Sequence, residues 1–311
     1  MEHRSSRPLG LTDAVDVWVL LAAADTAVGN VADRGVSEIA GMLRDLGPEI
    51  GEATHAEYMD DKLAAFAIVA GDEVLARVAP AWQGRGLGGK ILDFAEQRLR
   101  EAGMGGGVQW VPSADAAAVA LLRKHRWQRA YVDVQVTCDL PPREPPPAVP
   151  QGVSLHRSRG EPDLRAVHDL ICAAWGIEPH WEEFLERLVM RRSYDPSLWC
   201  LAAAGKRLVG VVIGEVEAEV GWIRQLAVSP SYRGRGIAGA MLPRVLSALA
   251  SRGITAAKAS VHETNPAYDL YLRHGWREAS RLDCWIRELP RAQSNVIEGE
   301  AITRMRELPP A

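Results

Sequence analysis

Four cysteines in 311 residues, at 138, 172, 200 and 284, form no Cys-x-x-Cys pair and no metal-ligand spacing. Their scarcity excludes a disulfide scaffold or zinc ribbon and fits reduced, mostly buried thiols in a cytoplasmic protein. An excess of one charge is missing too: 36 Lys and Arg face 40 Asp and Glu, a net charge of −4. That balance leaves no basic footprint for nucleic acid. No apolar run approaches membrane-spanning length, so no membrane partner is expected. The locally greasy stretch Val15 to Ala24 reads as a core helix, with Thr12 as its N-cap. The opening residues lack the apolar core of a secretory signal. What is left is a globular composition, 47% hydrophobic and 24% charged, over a length that suits about two domains.

The chain is organised around residues 226–238. Leu226, Ala227 and Val228 form an apolar strand-like run that ends at Ser229 and Pro230. A basic turn follows, Arg233, Gly234, Arg235 and Gly236; then Ile237 and Ala238 open an apolar-periodic helix through Met241, Leu242, Val245, Leu246 and Leu249. A strand, a glycine turn and a helix start present several backbone N–H groups and the positive helix end to a phosphate. Glycine lets the backbone approach the anion closely, and arginine adds complementary charge. The pattern occurs twice. Val78 to Pro80 precede Gln83, Gly84, Arg85, Gly86 and Gly88, and an offset of 150 residues holds at Pro80/Pro230, Gly86/Gly236, Leu99/Leu249 and Gly103/Gly253. Leu122 to Trp127 is echoed near Leu272 to Trp276. A repeat of this length is two homologous domains, since solenoid units are far shorter.

The proline-rich run 141–150 separates the copies as a semi-rigid spacer, with polyproline recognition by a partner as the sharper alternative. The divisions expected are 1–140, a linker at 141–152, 153–290, and a tail at 291–311 with no assigned task. The first copy reads as helices over 15–24 and 31–46, strands over 63–69, 73–79 and 108–111, a helix over 114–124 and a closing strand over 131–138. The second replays this order, with helices over 163–175 and 180–191 and a last strand near 280–287.

Arg-x-x-Gly-x-Ala at Arg233, Gly236 and Ala238, after a Leu-x-Val-x-Pro strand, resembles the acyl-CoA pyrophosphate loop of the GNAT N-acetyltransferases. Gln-x-x-Gly-x-Gly at 83–88 is its earlier instance. The resemblance implies an α/β (α+β) fold of two tandem GNAT-like domains. Each has a mixed, mostly antiparallel central sheet flanked by helices, with splayed parallel strands at the CoA site. It implies acetyl-CoA as cosubstrate, no metal, and a small-molecule amine as acceptor. The pantetheine arm would pair with the backbone of 226–228, and an N–H at Ala227 or Val228 would face the oxyanion. Tyr271, four residues before Gly275, takes the family's general-acid position, with Tyr268 as substitute, and Asn265 that of the pantetheine contact. The family's glutamate on the first splayed strand is replaced by Trp222, so either water relays the proton or another side chain serves, with Glu219 and His262 as equal candidates. Glu219 shares one face with Glu215 and Glu217 if that stretch is extended; His262 is the side chain suited to proton transfer near neutral pH.

In the first copy, Leu122 stands where Tyr271 does, and Asp115 or Ala116 where Asn265 does. The N-terminal domain is therefore expected to be non-catalytic, either binding CoA or buttressing its neighbour. This asymmetry is similar to the mycothiol synthase type of tandem GNAT, but Trp222 lacks that type's carboxylate, so its acceptor is not carried over. Trp175, Trp181 and Trp222 flank the expected acceptor cleft; Glu178, Glu182 and Glu183 suit a cationic acceptor, and Arg281 and Arg287 a carboxylate. Two other readings stay open: a catalytically silent acyl-CoA-binding pair of domains, and transfer of another acyl group. An oligomer is possible, but its state is not legible in the sequence.

Overall fold

The computed structural model describes residues 3–30, 35–142, 146–176, 178, 180–217 and 219–289. The first half runs β1 (Arg4–Arg7), α1 (Ala14–Ala27), α2 (Val36–Asp45), α3 (Ile50–Ala53), β2 (Thr54–Met59), β3 (Lys62–Ala70), β4 (Glu73–Val78), α4 (Leu87–Glu101), β5 (Gly106–Pro112), α5 (Ala116–Lys124) and β6 (Gln128–Asp139). The second half repeats it as β7 (Ser154–Arg157), α6 (Glu161–Trp175), α7 (Trp181–Phe184), β8 (Trp199–Ala204), β9 (Arg207–Glu217), β10 (Val220–Val228), α8 (Ile237–Ala250), β11 (Ala256–His262), α9 (Pro266–Arg273) and β12 (Arg277–Glu288).

Each half gives the later part of its last strand, β6 from Val134 and β12 from Ser280, to the other's compact unit. The first unit joins residues up to 133 with those from 280, and orders its strands β1-β2-β3-β4-β5-β12. The second unit, 134–279, orders them β7-β8-β9-β10-β11-β6. The contiguous halves 1–140 and 153–290 therefore do not coincide with the compact units. In the first unit β12 lies antiparallel on β5, from Leu282↔Pro112 to Glu288↔Gly106. In the second, Thr137 Oγ1 donates to Ala257 O (3.0 Å) and Leu140 N–H to Thr255 O (2.8 Å). Within each unit the pairing is mixed: antiparallel ladders run as far as one parallel pair, β4–β5 or β10–β11.

The core of the first unit forms because α4 carries Leu87, Ile91, Leu92, Ala95 and Leu99 on one face, against a β3 that is buried on both faces from Ala64 to Val69. Trp285 of β12, 1% exposed, completes it. In the second unit, glycines let α8 settle onto the sheet. A Cβ at Gly214 would meet Val245 Cγ1 at 2.5 Å, and one at Gly210 would meet Met241 Cε at 2.8 Å. The ridge Ile237, Met241, Val245 and Leu249 therefore fits onto bare backbone, which fixes the helix start over the end of β10.

Several expectations shift. The edge strand β1, Arg-Ser-Ser-Arg, has no apolar alternation to reveal it, and the β2–β3 ladder is interrupted by a bulge at Ala64 of β3, opposite Glu57 and Tyr58. The second helix begins only at Val36, residues 31–34 lying outside those described. Helix 180–191 is instead the short α7 followed by a π-turn, Leu185–Val189. Thr12 does not cap α1. Asp13 folds back there, its Oδ2 accepting from Gly10 N–H (2.7 Å) and its carboxylate held by both Arg7 Nη atoms (2.7 and 2.8 Å). The tail 291–311 lies outside the described residues. Among those described, no helix is long and apolar enough to cross a membrane, and no group of three or more His, Cys, Asp or Glu gathers as metal ligands.

Candidate active site

β10 delivers the chain to a 3-10 turn, Pro230–Tyr232, and then to Arg233, Gly234, Arg235 and Gly236 before α8 begins. Gly234 and Gly236 take φ of 73° and 78°, the left-handed region that disfavours side chains. A Cβ at either would meet nothing within 4 Å, so these glycines fill no packing need and face open space. Among the described residues no acceptor pairs with the amides of 234–238, the orphan donors of a helix start. Ile237 is buried behind them and Ala238 half-buried. The arginines also brace the loop. Arg233 donates to Val228 O (3.3 Å) and to Ala174 O on α6, while Arg235 lies 4.7 Å over the Tyr232 ring and donates to Ser231 O (3.0 Å).

Beside the loop the sheet opens. β10 and β11 pair in parallel only at Gly221↔Ala257, Trp222↔Lys258 and Ile223↔Ala259, whereas β10 stays on β9 as far as Val228↔Gly210. A bulge at Arg224, between Ile223 and Gln225, coincides with the divergence. Ser229 N–H donates to Val209 O (2.9 Å), so antiparallel alternation turns the N–H and C=O of Leu226 and Val228 towards the gap. Ala227, by the same alternation, bonds towards β9. Of the two amides named for the oxyanion, only that of Val228 faces the gap.

α9 supplies the second wall. Asn265 caps it, Oδ1 accepting from Ala267 N–H (2.8 Å). That bond occupies the oxygen, leaving the NH₂ for any ligand. Tyr271 is 4% exposed, its ring 4.8 Å from Trp276 and tilted 55°. Burial, and to a lesser extent Cys138, push its hydroxyl above the ordinary phenol range. Tyr268 points elsewhere, donating to Glu278 Oε2 (2.8 Å). His262, at the end of β11, takes Thr264 N–H (3.2 Å) at Nδ1, which puts the proton of a neutral ring on Nε2.

The carboxylates do not converge as the alternation suggested. Glu219 is exposed in the β9–β10 turn with φ 65°, at the opposite end of β10 from the loop. Glu215, 5% exposed, and Glu217 sit on β9, bound by Arg224 and Arg191, with Ser193 also donating to Glu215. Arg224 in turn stacks 4.6 Å over Trp222. Arg191, Arg192, Ser193, Val216 and Glu217 line a groove of about 490 Å³. Sequence reading missed Arg191, Arg192 and Arg224. No sequence signal marked Arg224, because the constant 150-residue offset hides the bulge; it shows only in the register, where Trp222↔Lys258 answers to Glu73↔Val108.

The first copy repeats the loop: Gly84 and Gly86 take φ of 75° and 80°, and Arg85 lies 4.7 Å over Trp82. Gln83 closes the 3-10 turn ahead of them, and Gly88 packs so tightly that a Cβ would meet Leu121 Cδ2 at 2.5 Å. Its β3–β4 ladder has no bulge, and Leu122 is a buried core residue.

The Acetyltransferase (GNAT) family matches residues 53–126 and 164–276, more than half of the chain. A mycothiol acetyltransferase of Thermobispora bispora is 29% identical over 227 residues, 68% of this chain and 75% of its own. A GCN5-related N-acetyltransferase from Sphaerobacter thermophilus superposes with a TM-score of 0.78 at 25% identity, over 92% of this chain and 95% of its own. A tandem GNAT protein from the clavulanic acid biosynthesis pathway shares the fold, with a TM-score of 0.68 at 18% identity over 94% and 100% of the two chains. With an anion-ready loop beside a splayed strand pair in its second half and the family's match in both, the chain belongs to the GNAT acetyltransferase family.

Proposed function

We propose that residues 153–290 form an acetyl-CoA-dependent N-acetyltransferase acting on the primary amine of a small molecule by direct attack in a ternary complex. The observation that carries this is the coincidence, at the end of β10, of unpaired loop amides and a strand edge freed after Ile223↔Ala259. The loop amides of 234–238 hold the diphosphate, and the edge of Leu226 and Val228 takes the amide-bearing arm as an added strand. Acetyl-CoA supplies the activated acetyl group. Val228 N–H stabilises the oxyanion, a role typically worth a few kcal/mol of barrier. Tyr271, kept protonated by burial, donates to the departing thiolate. An alkylamine titrates at about 10, so it must lose a proton first; water carries that proton, because Glu219 is exposed at the far end of β10 and His262 Nδ1, the one basic nitrogen of that ring, already accepts from Thr264 N–H.

The 4% exposure of Tyr271 favours one rival: acyl-CoA binding without turnover, with Tyr271 a packing residue. Thiol release from acetyl-CoA across an amine panel decides between them. Turnover by wild type supports the enzyme, and its absence across the panel supports the silent binder. Gly236→Glu places a carboxylate in the anion cradle and should abolish CoA binding; unchanged affinity would remove the loop from the site.

A further inference from the structure

The two splayed strand pairs are not equally open. In the first copy β4 and β5 pair in parallel only at Glu73↔Val108, and alternation along β4 turns the N–H and C=O of Ala76 into the gap. Both groups are already taken. Gln109 Oε1 accepts from Ala76 N–H (3.1 Å), and Arg77 Nη1 donates to Ala76 O (2.9 Å). Arg77 Nη2 reaches across the gap to Trp110 O (2.8 Å), tying β4 to β5 through a side chain. Gln109 is 3% exposed and Arg77 8% exposed, so this stitch is built into the interior.

Counting back three residues from Pro80 and Pro230 matches Arg77 with Ala227; counting back six from the helix caps Asp115 and Asn265 matches Gln109 with Ala259. Both stitching side chains are therefore methyl groups in the second copy, 3% and 0% exposed. No described side chain is seated on the backbone of Leu226, the counterpart of Ala76.

We infer that Arg77 and Gln109 close the pantetheine slot of the first copy, so that the chain holds one acyl-CoA, in its second half. This rests on the acyl-CoA reading of the second copy. An arm adding to β4 would have to displace two buried hydrogen-bonding side chains and leave the Arg77 charge without its carbonyls, a cost an amide-for-amide exchange does not recover. The glycine loop at 83–88 survives as a helix start, detached from the strand edge that would make it a CoA site.

Calorimetric titration of the full chain with coenzyme A tests this by stoichiometry. Wild type should bind one equivalent, Gly236→Glu none, and Arg77→Ala/Gln109→Ala two. Two equivalents on wild type would overturn the inference while leaving the second-copy site standing; one equivalent kept by Gly236→Glu would overturn it together with the assignment of the second-copy loop. A folded double variant still binding one equivalent would overturn it as well. If the double variant does not fold, the first two arms decide alone. No binding by wild type would overturn the acyl-CoA reading itself, and this inference with it.

Discussion

Tyr271 and Leu122 occupy the same place in the two copies, and each closes the same bond: Trp276 N–H donates to Tyr271 O (3.1 Å) and Trp127 N–H to Leu122 O (2.9 Å). Both side chains are buried, 4% and 1% exposed, and in each copy a tryptophan packs nearby. Packing alone therefore asks only for an apolar bulk, and the hydroxyl is the addition that distinguishes the second copy. If that hydroxyl donates to the leaving thiolate, Tyr271→Phe should lower kcat by roughly 10²-fold while leaving CoA affinity and the unfolding midpoint nearly unchanged. An unchanged kcat would make Tyr271 a packing residue. The base reads less clearly, because the position where the family carries glutamate holds Trp222, itself covered by Arg224.

Between elements, the site depends on how closely α8 lies on β9. Gly214→Ala would drive a methyl group to 2.5 Å from Val245 Cγ1 and 2.9 Å from Leu198 O, and a backbone oxygen cannot step aside as a side chain can. We expect a loss of about 1–3 kcal/mol in denaturant unfolding, together with weaker CoA binding as the helix start moves off β10. A second element-level prediction concerns the entry to α1. The paired Arg7 guanidinium, then Gly10 N–H, outweigh burial and hold the Asp13 carboxyl below its ordinary value. Its contribution, about 1–2 kcal/mol for a charge-assisted pair, is complete above the unfolded value of about 4. It is lost as pH falls through the lower folded value. Asp13→Asn should flatten the acid limb of a stability-against-pH curve, and an identical acid limb would show the pair to be inert.

At the scale of the molecule, strand exchange makes each half depend on the other for a strand. Residues 1–140 alone would lack β12 and leave β5 with an unpaired antiparallel edge. That fragment should be aggregation-prone or unfolded by circular dichroism and hydrogen exchange. A cooperatively folded 1–140 fragment would contradict the exchange. Trp285→Ala, in the strand received by the first unit, should cost about 3–5 kcal/mol because it empties a site 1% exposed. A change under 1 kcal/mol would mean the core closes without β12.

The sequence by itself determined what depends on spacing along the chain. The doubled glycine loops, the helix starts behind them and the loss of a hydroxyl at Leu122 are all local patterns, set by backbone freedom and periodicity over a few residues. Four things belonged to the tertiary structure alone: the strand exchange, the bulge at Arg224, the charge network around Glu215 and the stitch of Arg77 and Gln109. Each pairs groups on separate strands, and whether a buried amide meets a substrate or a glutamine is settled only when two strands are brought side by side.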